Sequence, residues 1–152
     1  MFGLFKKKID TSKMFEDGEW QVAQGEHDGN PIIVRFNSGL KEFVGKTDHT
    51  LKIGFAIPLN TPSSDDFPSP EENDQVAVIE DRIIAVLKGK GSAVQALAIT
   101  MGSFKEFVYY TKADMDVKAA HEQLMAEVSS HEIQCFAEIE NDWASYTNWA
   151  NG

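Results

Sequence analysis

The chain has 152 residues, of which 42% are hydrophobic and 11% aromatic, so it is long and apolar enough to bury a core. Its 14 Lys and Arg against 24 Asp and Glu give a formal net charge of -10, which disfavours binding to nucleic acids and anionic lipids. This composition excludes the disordered and fibrous classes. It predicts one α+β domain over residues 14–152, preceded by a basic tail over residues 1–13.

The basic tail, MFGLFKKKIDTSK, differs in charge from the rest of the chain. Its apolar residues followed by Lys6, Lys7 and Lys8 could dip into an anionic membrane surface, but a mobile tail or a strap over the domain is favoured. Elsewhere no apolar run approaches the roughly 20 residues of a membrane helix, and the start lacks the apolar core of a signal peptide. We therefore expect no membrane span and a cytoplasmic location.

The first predicted elements are extended. Alternation from Trp20, turn residues over 25–30 and the β-branched run over 31–37 predict a β-hairpin. A short helical turn around residues 40–44 follows, and apolar residues at period two over 51–59 predict a third strand.

The second half alternates helices and strands. A Pro-, Ser- and acid-rich loop over 61–73 leads into a helix predicted over 71–88, where apolar residues recur at three- and four-residue spacing. Strands over 93–101 and 104–111 flank a Gly-Ser connection, a second helix covers 114–129, and a sixth strand covers 133–139.

From the third strand onward the order is β, α, β, β, α, β. This order predicts a ferredoxin-like sandwich, in which an antiparallel sheet carries both helices on one face. The N-terminal hairpin would extend that sheet or cover part of it.

The strand over 104–111 is apolar on both sides, which is typical of a strand that is covered on both faces. The second cover would be the hairpin, the Trp-rich C-terminal segment or a second subunit. If that face binds a partner instead, aromatic residues are the candidate protein-binding contacts. They are Phe107, Tyr109, Tyr110, Trp143, Tyr146 and Trp149. RNA stacking on them is disfavoured by the acidic charge.

The sixth strand presents an acidic row opposite its core side, formed by Glu132, Glu138 and Glu140 with Gln134 and Phe136 between them. Carboxylates in a row can hold a cation or act as acid and base, but a solvated face is the favoured interpretation. Together with the acidic loop over 61–75, this row would steer a basic protein partner or only keep the chain soluble.

Arg35 stands in the otherwise apolar run IIVRF, so it must point outward or meet an acid. An ion pair with Glu80, Asp81 or Asp142 is favoured over an anion-binding site. Arg35, Asn37 and Glu80, with Tyr110, are the candidate residues of a ligand pocket between the hairpin and the sheet. The four His lack metal-ligand spacing and no catalytic motif occurs, so we predict no metal, no cofactor and no defined enzyme activity.

Several ordered motifs resemble a known family. They are Trp20, GNPIIVRFN over 29–37, PSPEENDQVAVIEDRI, Thr100 and Gly102 with FKEFVYY, and Asp142, Trp143 and Tyr146. Their order resembles the uncharacterised bacterial family catalogued as domain of unknown function 695, over roughly residues 16–149. This chain has Lys105 and Glu106 where the family tends to have an arginine.

The C-terminal stretch FAEIENDWASYTNW also resembles the end of the regulator of ribonuclease E activity B, a small acidic ferredoxin-like family. That resemblance implies a protein that binds a ribonuclease without chemistry of its own. Because Trp143 and Tyr146 are three residues apart, they would share one face of a helical turn and pin the terminus on the sheet. This structural interpretation is favoured over a binding role.

The leading functional hypothesis is a non-enzymatic interaction or regulatory domain whose partner is a basic protein, such as a ribonuclease. The alternative is a small-ligand-binding protein or hydrolase that uses the Arg35 pocket. A third possibility is that the apolar face forms a homodimer interface.

Overall fold

In the computed structural model, residues 10–15, 18–62 and 67–151 are described. These ranges contain six strands, three α-helices and two short 3-10 turns, Thr11–Phe15 before the first strand and Ser38–Phe43 between the second and third strands. The strands are β1 (Trp20–His27), β2 (Asn30–Asn37), β3 (Leu51–Pro58), β4 (Ala93–Thr100), β5 (Phe104–Thr111) and β6 (Gln134–Ile139). The helices are α1 (Pro70–Lys90), α2 (Val117–Glu127) and α3 (Ala144–Ala150).

The hairpin predicted at the N-terminal end of the domain is present. Strands β1 and β2 pair from Trp20 opposite Asn37 to His27 opposite Asn30. Asp28 and Gly29 connect them, both with positive φ (51° and 80°), as a two-residue turn of this hand requires. Gly at the second position makes that backbone accessible without strain.

All six strands form one antiparallel sheet in the order β1-β2-β4-β5-β3-β6. The α+β prediction is therefore confirmed, and the order of the last four strands is compatible with the ferredoxin-like arrangement. The hairpin extends the sheet, because β2 pairs with β4.

Both long helices pack on the same face of the sheet. Their apolar residues join the inward residues of β3 and β5 in one core, which includes Ile53, Phe55, Ile79, Ile83 and Leu124. Helix α1 starts at Pro70, one residue before the predicted start, and the Ser69 side chain caps it by accepting a hydrogen bond from the N–H of Glu72.

The opposite face is covered by the C-terminal segment. Trp143 stacks on Tyr110 with ring centroids 4.5 Å apart and donates from Nε1 to the carbonyl oxygen of His49 at 2.7 Å. Tyr146 meets the Trp143 ring edge-on, and its hydroxyl donates to the carbonyl oxygen of Asn37 at 2.5 Å. The prediction that these two rings pin the terminus on the sheet is confirmed.

This second cover is incomplete. The core on that face takes residues from β2, β4 and β5, together with Leu40 and Phe43 of the second 3-10 turn, but none from β3 or β6. We call the uncovered part, formed by β3, β6 and the neighbouring side of β5, the open sheet face.

Residues 1–9 lie outside the described residues, so the prediction of a mobile or membrane-touching tail lies there too. Within residues 10–15, Met14 is buried against the second core. No helix in the described ranges combines the length and the apolar character needed to cross a membrane.

We expect Trp143→Ala to lower the free energy of unfolding by about 3–5 kcal/mol, because it removes a buried ring and leaves a cavity under the cover. Trp149→Ala is the matched control: Trp149 is only half-buried, so its loss should cost less than about 2 kcal/mol. Urea unfolding followed by circular dichroism measures both. Equal losses in the two variants would contradict the role given to Trp143.

Candidate functional site

Lys52 lies at the centre of the open sheet face, on β3. Its ammonium group contacts Glu138 Oε1 at 2.8 Å, the Ser145 hydroxyl at 3.0 Å and Glu140 Oε2 at 3.4 Å. An ammonium group has three N–H donors, so these partners occupy all of them. Burial would lower the pKa of Lys52, but the two carboxylates outweigh it and raise that pKa.

Glu140 links this charge network to the C-terminal cover. Its carboxylate accepts hydrogen bonds from the Tyr110 hydroxyl at 2.5 Å and from both the N–H and the hydroxyl of Ser145 at 2.8 Å. Burial would raise the pKa of Glu140, but these donors and Lys52 lower it. Glu140 is therefore held as a carboxylate that anchors α3.

Glu106 differs from Glu140, since its carboxylate has no hydrogen-bond or ion-pair partner among the described residues. It lies on β5, opposite Ala56 of β3 and Ile99 of β4, and it is half-buried. Burial raises the pKa of Glu106, and the nearby charge of Lys52 opposes that rise only in part. Lys52 has no donor left with which to contact Glu106.

Two adjoining cavities share Glu106, and together we call them the Glu106 groove. One, of about 430 Å³, is lined on either side of Glu106 by Ala56, Pro58, Ser103, Phe104 and Gln134. The other, of about 240 Å³, is lined by Lys52, Leu97, Ile99, Val108, Ser145, Asn148 and Trp149. The first cavity is mostly apolar, whereas the second has Lys52, Ser145 and Asn148 beside its apolar residues. Where the cavities meet, Glu106 is an acid that no described residue neutralises.

A carboxylate in this position is suited to bind a cation. A lysine, arginine or amine group entering the groove would supply the missing counter-charge, while Phe104 and Trp149 would contact its aliphatic part. Acid-base catalysis needs a second group at a matched position, and the neighbouring carboxylates of Glu138 and Glu140 are both engaged with Lys52.

The aromatic residues predicted as protein contacts lie mainly inside the molecule. Phe107, Tyr109, Tyr110, Trp143 and Tyr146 are at most 1% exposed. Phe107 and Tyr109 belong to the helix-side core, and the other three to the second core. In these positions they hold the layers together and present no surface to a partner. Trp149 is half-buried and borders the Glu106 groove.

The predicted ligand-pocket residues do not converge. Arg35 donates to Glu80 at 2.8 Å and lies over the Trp20 ring, so the favoured ion pair is present. Asn37 is buried, with its side chain bonded to the N–H of Gly39 and the carbonyl of Gln95. A cavity of about 360 Å³ does lie between the start of β1 and α1, but Asn37 lines it without Arg35 or Glu80.

The fold also brings together Ser130, His131 and Glu72, a grouping that the sequence does not reveal. His131 Nε2 lies 2.7 Å from Glu72 Oε2, and its Nδ1 lies 3.0 Å from the Ser130 hydroxyl. The His131 side chain is fully buried, and Glu72 also accepts the backbone N–H groups of Asn60 and Thr61. This cluster therefore closes the loop after β3 and offers no base to a substrate.

Sequence reasoning passed over Glu106 and Phe104 as site residues. The sequence did contain a signal. Side chains alternate between the two sides of a strand, which places Glu106 on the same side of β5 as the apolar Phe104, Val108 and Tyr110. A charged residue among apolar ones on the same strand side is either paired or functional.

Metal binding has no support in the described ranges, where no group of three or more His, Cys, Asp or Glu is placed to hold an ion.

Comparison with known protein families identifies a match. A family described as "Family of unknown function (DUF695)" matches residues 18–149. The match confirms the first resemblance predicted from the ordered motifs. No curated protein and no solved structure matches the chain. The resemblance to the regulator of ribonuclease E activity B stays a prediction.

We expect Glu72→Gln to lower the free energy of unfolding at pH 7 by about 1–3 kcal/mol, since it replaces an acceptor of several buried hydrogen bonds. Burial would raise the pKa of Glu72, but hydrogen bonds with the backbone N–H of Asn60 and with the His131 side chain lower it overall. The Glu72 carboxylate therefore contributes its full stabilisation above about pH 4.5, the ordinary pKa of a glutamate. That stabilisation is lost as the pH falls through the lowered pKa. Urea unfolding at pH 7 and pH 3 should show the two proteins converging in acid; a constant difference would contradict this.

We expect Glu106→Gln to raise the free energy of unfolding at pH 7. The raised pKa means that the protonated carboxyl favours the fold below about pH 4.5 and that this benefit is lost as pH rises through the raised value. The neutral amide avoids that loss, so variant and wild type should differ at pH 7 and agree at pH 4. Glu26→Gln, at an exposed position of β1, is the control without effect. A less stable Glu106→Gln at pH 7 would mean that Glu106 has a partner.

Proposed function

The chain belongs to the DUF695 family of unknown function, and for this member we propose a protein-interaction domain that binds a basic segment of a partner protein in the Glu106 groove. On this proposal the domain regulates its partner by occupying it and performs no chemistry of its own.

One observation carries the proposal: Glu106 is a half-buried carboxylate with no partner in the part of the chain that the structure describes, and it lines both cavities, of which the first is mostly apolar. An unpaired, partly desolvated charge costs stability in the free protein. A cationic side chain that enters the groove removes that cost and adds a charge-assisted hydrogen bond. The groove therefore favours lysine or arginine over neutral or acidic residues.

The surroundings support a basic partner. Glu138, 62% exposed at its side chain, lies on the same face, and the chain carries a net charge of -10. Such a field accelerates the approach of a positively charged protein and repels an acidic one. The two cavities adjoin, so an extended segment is a better fit than a single small ion.

A nucleic-acid-binding enzyme is the partner class that this chemistry suits, because such enzymes are basic where they contact phosphates. A ribonuclease is one example, and it is also what the C-terminal resemblance implies. The alternative, a small ligand in the cavity beside Trp20 and Asn37, has less support, since Arg35 and Glu80 neutralise each other outside that cavity.

The test is a titration of 15N-labelled protein with octalysine and octaarginine peptides, with octaglutamate as the charge control. We expect the amide signals of Phe104, Glu106 and the Trp149 indole to shift with the cationic peptides only. Binding should weaken about tenfold or more in Glu106→Gln, since a hydrogen bond to a charged group contributes about 1.5–3 kcal/mol. It should also strengthen as pH rises through the pKa of Glu106.

Glu26→Gln removes one acidic group far from the groove and is the matched control, with affinity expected to stay unchanged. Shifts spread over the acidic surface, with equal affinities in both variants, would show non-specific attraction and overturn the proposal. Shifts confined to the lining of the cavity beside Trp20 and Asn37 would favour the alternative site.

A further inference from the structure

Strand β6 forms one edge of the sheet, with β3 on its inner side. Two large apolar side chains are exposed on it, Phe136 at 41% and Ile139 at 56%. Edge strands are commonly protected from pairing by charged residues, above all lysine, by proline or by a bulge. The sequence of β6, QCFAEI, has no lysine or proline, its one charged residue, Glu138, is paired with Lys52 of β3, and its pairing with β3 shows no register shift.

The outward backbone groups of β6 follow from its pairing with β3. The N–H of Glu140 donates to the carbonyl of Thr50 at 2.7 Å, directly beyond the pair Leu51 and Ile139. In an antiparallel pair, residues alternate between pointing these groups toward the partner and away from it. The groups of Cys135, Ala137 and Ile139 therefore point to the free side.

We propose that this edge pairs with the same edge of a second copy, antiparallel, with a two-fold axis at Phe136. Cys135 of each copy then exchanges backbone hydrogen bonds with Ala137 of the other, and both residues present their free groups there. The two Phe136 residues are opposite each other at the axis, in the kind of pair where side chains approach most closely. Each ring lies over Gly54 of its own β3. The two sheets become one continuous sheet.

Charge selects this register from the neighbouring ones that the hydrogen-bond pattern allows. An axis at Cys135 places Glu138 opposite Glu132 twice, and like charges directly opposed are destabilising. An axis at Ala137 places the Phe136 ring opposite the Glu138 carboxylate. The axis at Phe136 instead places Glu138 opposite Gln134, whose amide can donate to it.

This pairing is independent of the proposed function. Its backbone hydrogen bonds use the side of β6 that points away from β3, and Gln134 is the one groove residue that also lies opposite the second copy. It also depends on salt in the opposite direction. Two copies of charge -10 repel each other, so salt strengthens the dimer, whereas salt weakens the binding of a basic segment.

The first test is sedimentation equilibrium over a range of protein and salt concentrations. A short strand pair is smaller than the roughly 1,200 Å² of a stable interface, so we expect a weak dimer. The apparent mass should rise from that of the 16.9 kDa chain toward twice that value, and more steeply at high salt. Phe136→Lys should keep the chain monomeric. Val22→Lys, at an exposed apolar position of the opposite edge, should not.

Disulfide trapping tests the register and does not depend on Phe136. Three samples are oxidised: the wild type, the double variant Cys135→Ser, Ala137→Cys, and an equal mixture of the two. If the axis is at Cys135, the pure wild type is cross-linked and the pure double variant is not. If the axis is at Ala137, the pure double variant is cross-linked and the pure wild type is not. If the axis is at Phe136, both pure samples stay unlinked and only the mixture is cross-linked. Opposed residues of an antiparallel pair lie about 5.5 Å apart at Cα, within the range of a disulfide.

A cross-linked mixture with both pure samples unlinked supports the proposal. A chain that stays monomeric at high protein concentration in high salt overturns it, as does cross-linking of either pure sample alone. If the chain is monomeric and octalysine shifts the amides of Cys135 and Ala137, the edge accepts a basic strand of another protein and self-pairing is overturned.

Discussion

The structure depends on one constraint, which is that β5 is apolar on both of its sides. Phe107 and Tyr109 point into the core under the two long helices, and Val108 and Tyr110 point the other way. A strand of this kind cannot leave either face in water, because each buried aromatic side chain contributes several kcal/mol only while it is covered. The sheet must therefore be a middle layer, and the chain has to supply a second cover from its own C-terminal segment.

That second cover is held by unusual local geometry. Trp143 adopts a left-handed backbone conformation, with φ of 52° and ψ of 43°, which costs an L-residue roughly 1–2 kcal/mol. The turn brings its ring onto Tyr110 and its indole N–H to the carbonyl of His49, and these contacts offset the strain. The helix that follows is short, so it covers the strands near β4 but not β3 and β6. The Glu106 groove exists because the cover ends there.

Much of the fold was predictable, since periodicity and turn chemistry act locally. The two-residue turn at Asp28 and Gly29, the capped start at Ser69 and the alternation of β3 each follow from neighbouring residues. The choice of cover for the second face was not predictable, because three candidates satisfied the same pattern. The aromatic residues of β5 indicated that the second face needs a cover. They did not indicate that this cover buries them completely and leaves no aromatic surface for a partner.

The site was harder to predict for a related reason. Whether a carboxylate is neutralised depends on which donors remain free, and that is decided by contacts between distant residues. The charge of Lys52 acts on Glu106, yet the N–H donors of Lys52 are taken by Glu138, Glu140 and Ser145. The alternation of side chains along β5 could have shown that Glu106 lies among apolar residues. It could not have shown that the carboxylate has no partner among the described residues.

The position of β3 also governs the order in which the sheet can be completed during synthesis. Both of its neighbours, β5 and β6, come later in the chain, and the pair Leu51 and Ile139 is separated by 139 minus 51, or 88 residues. A ribosome-bound chain that ends before β5 holds the hairpin already paired but β3 without any neighbour. The most buried strand of the first half is thus the one that spends longest as an unpaired apolar segment.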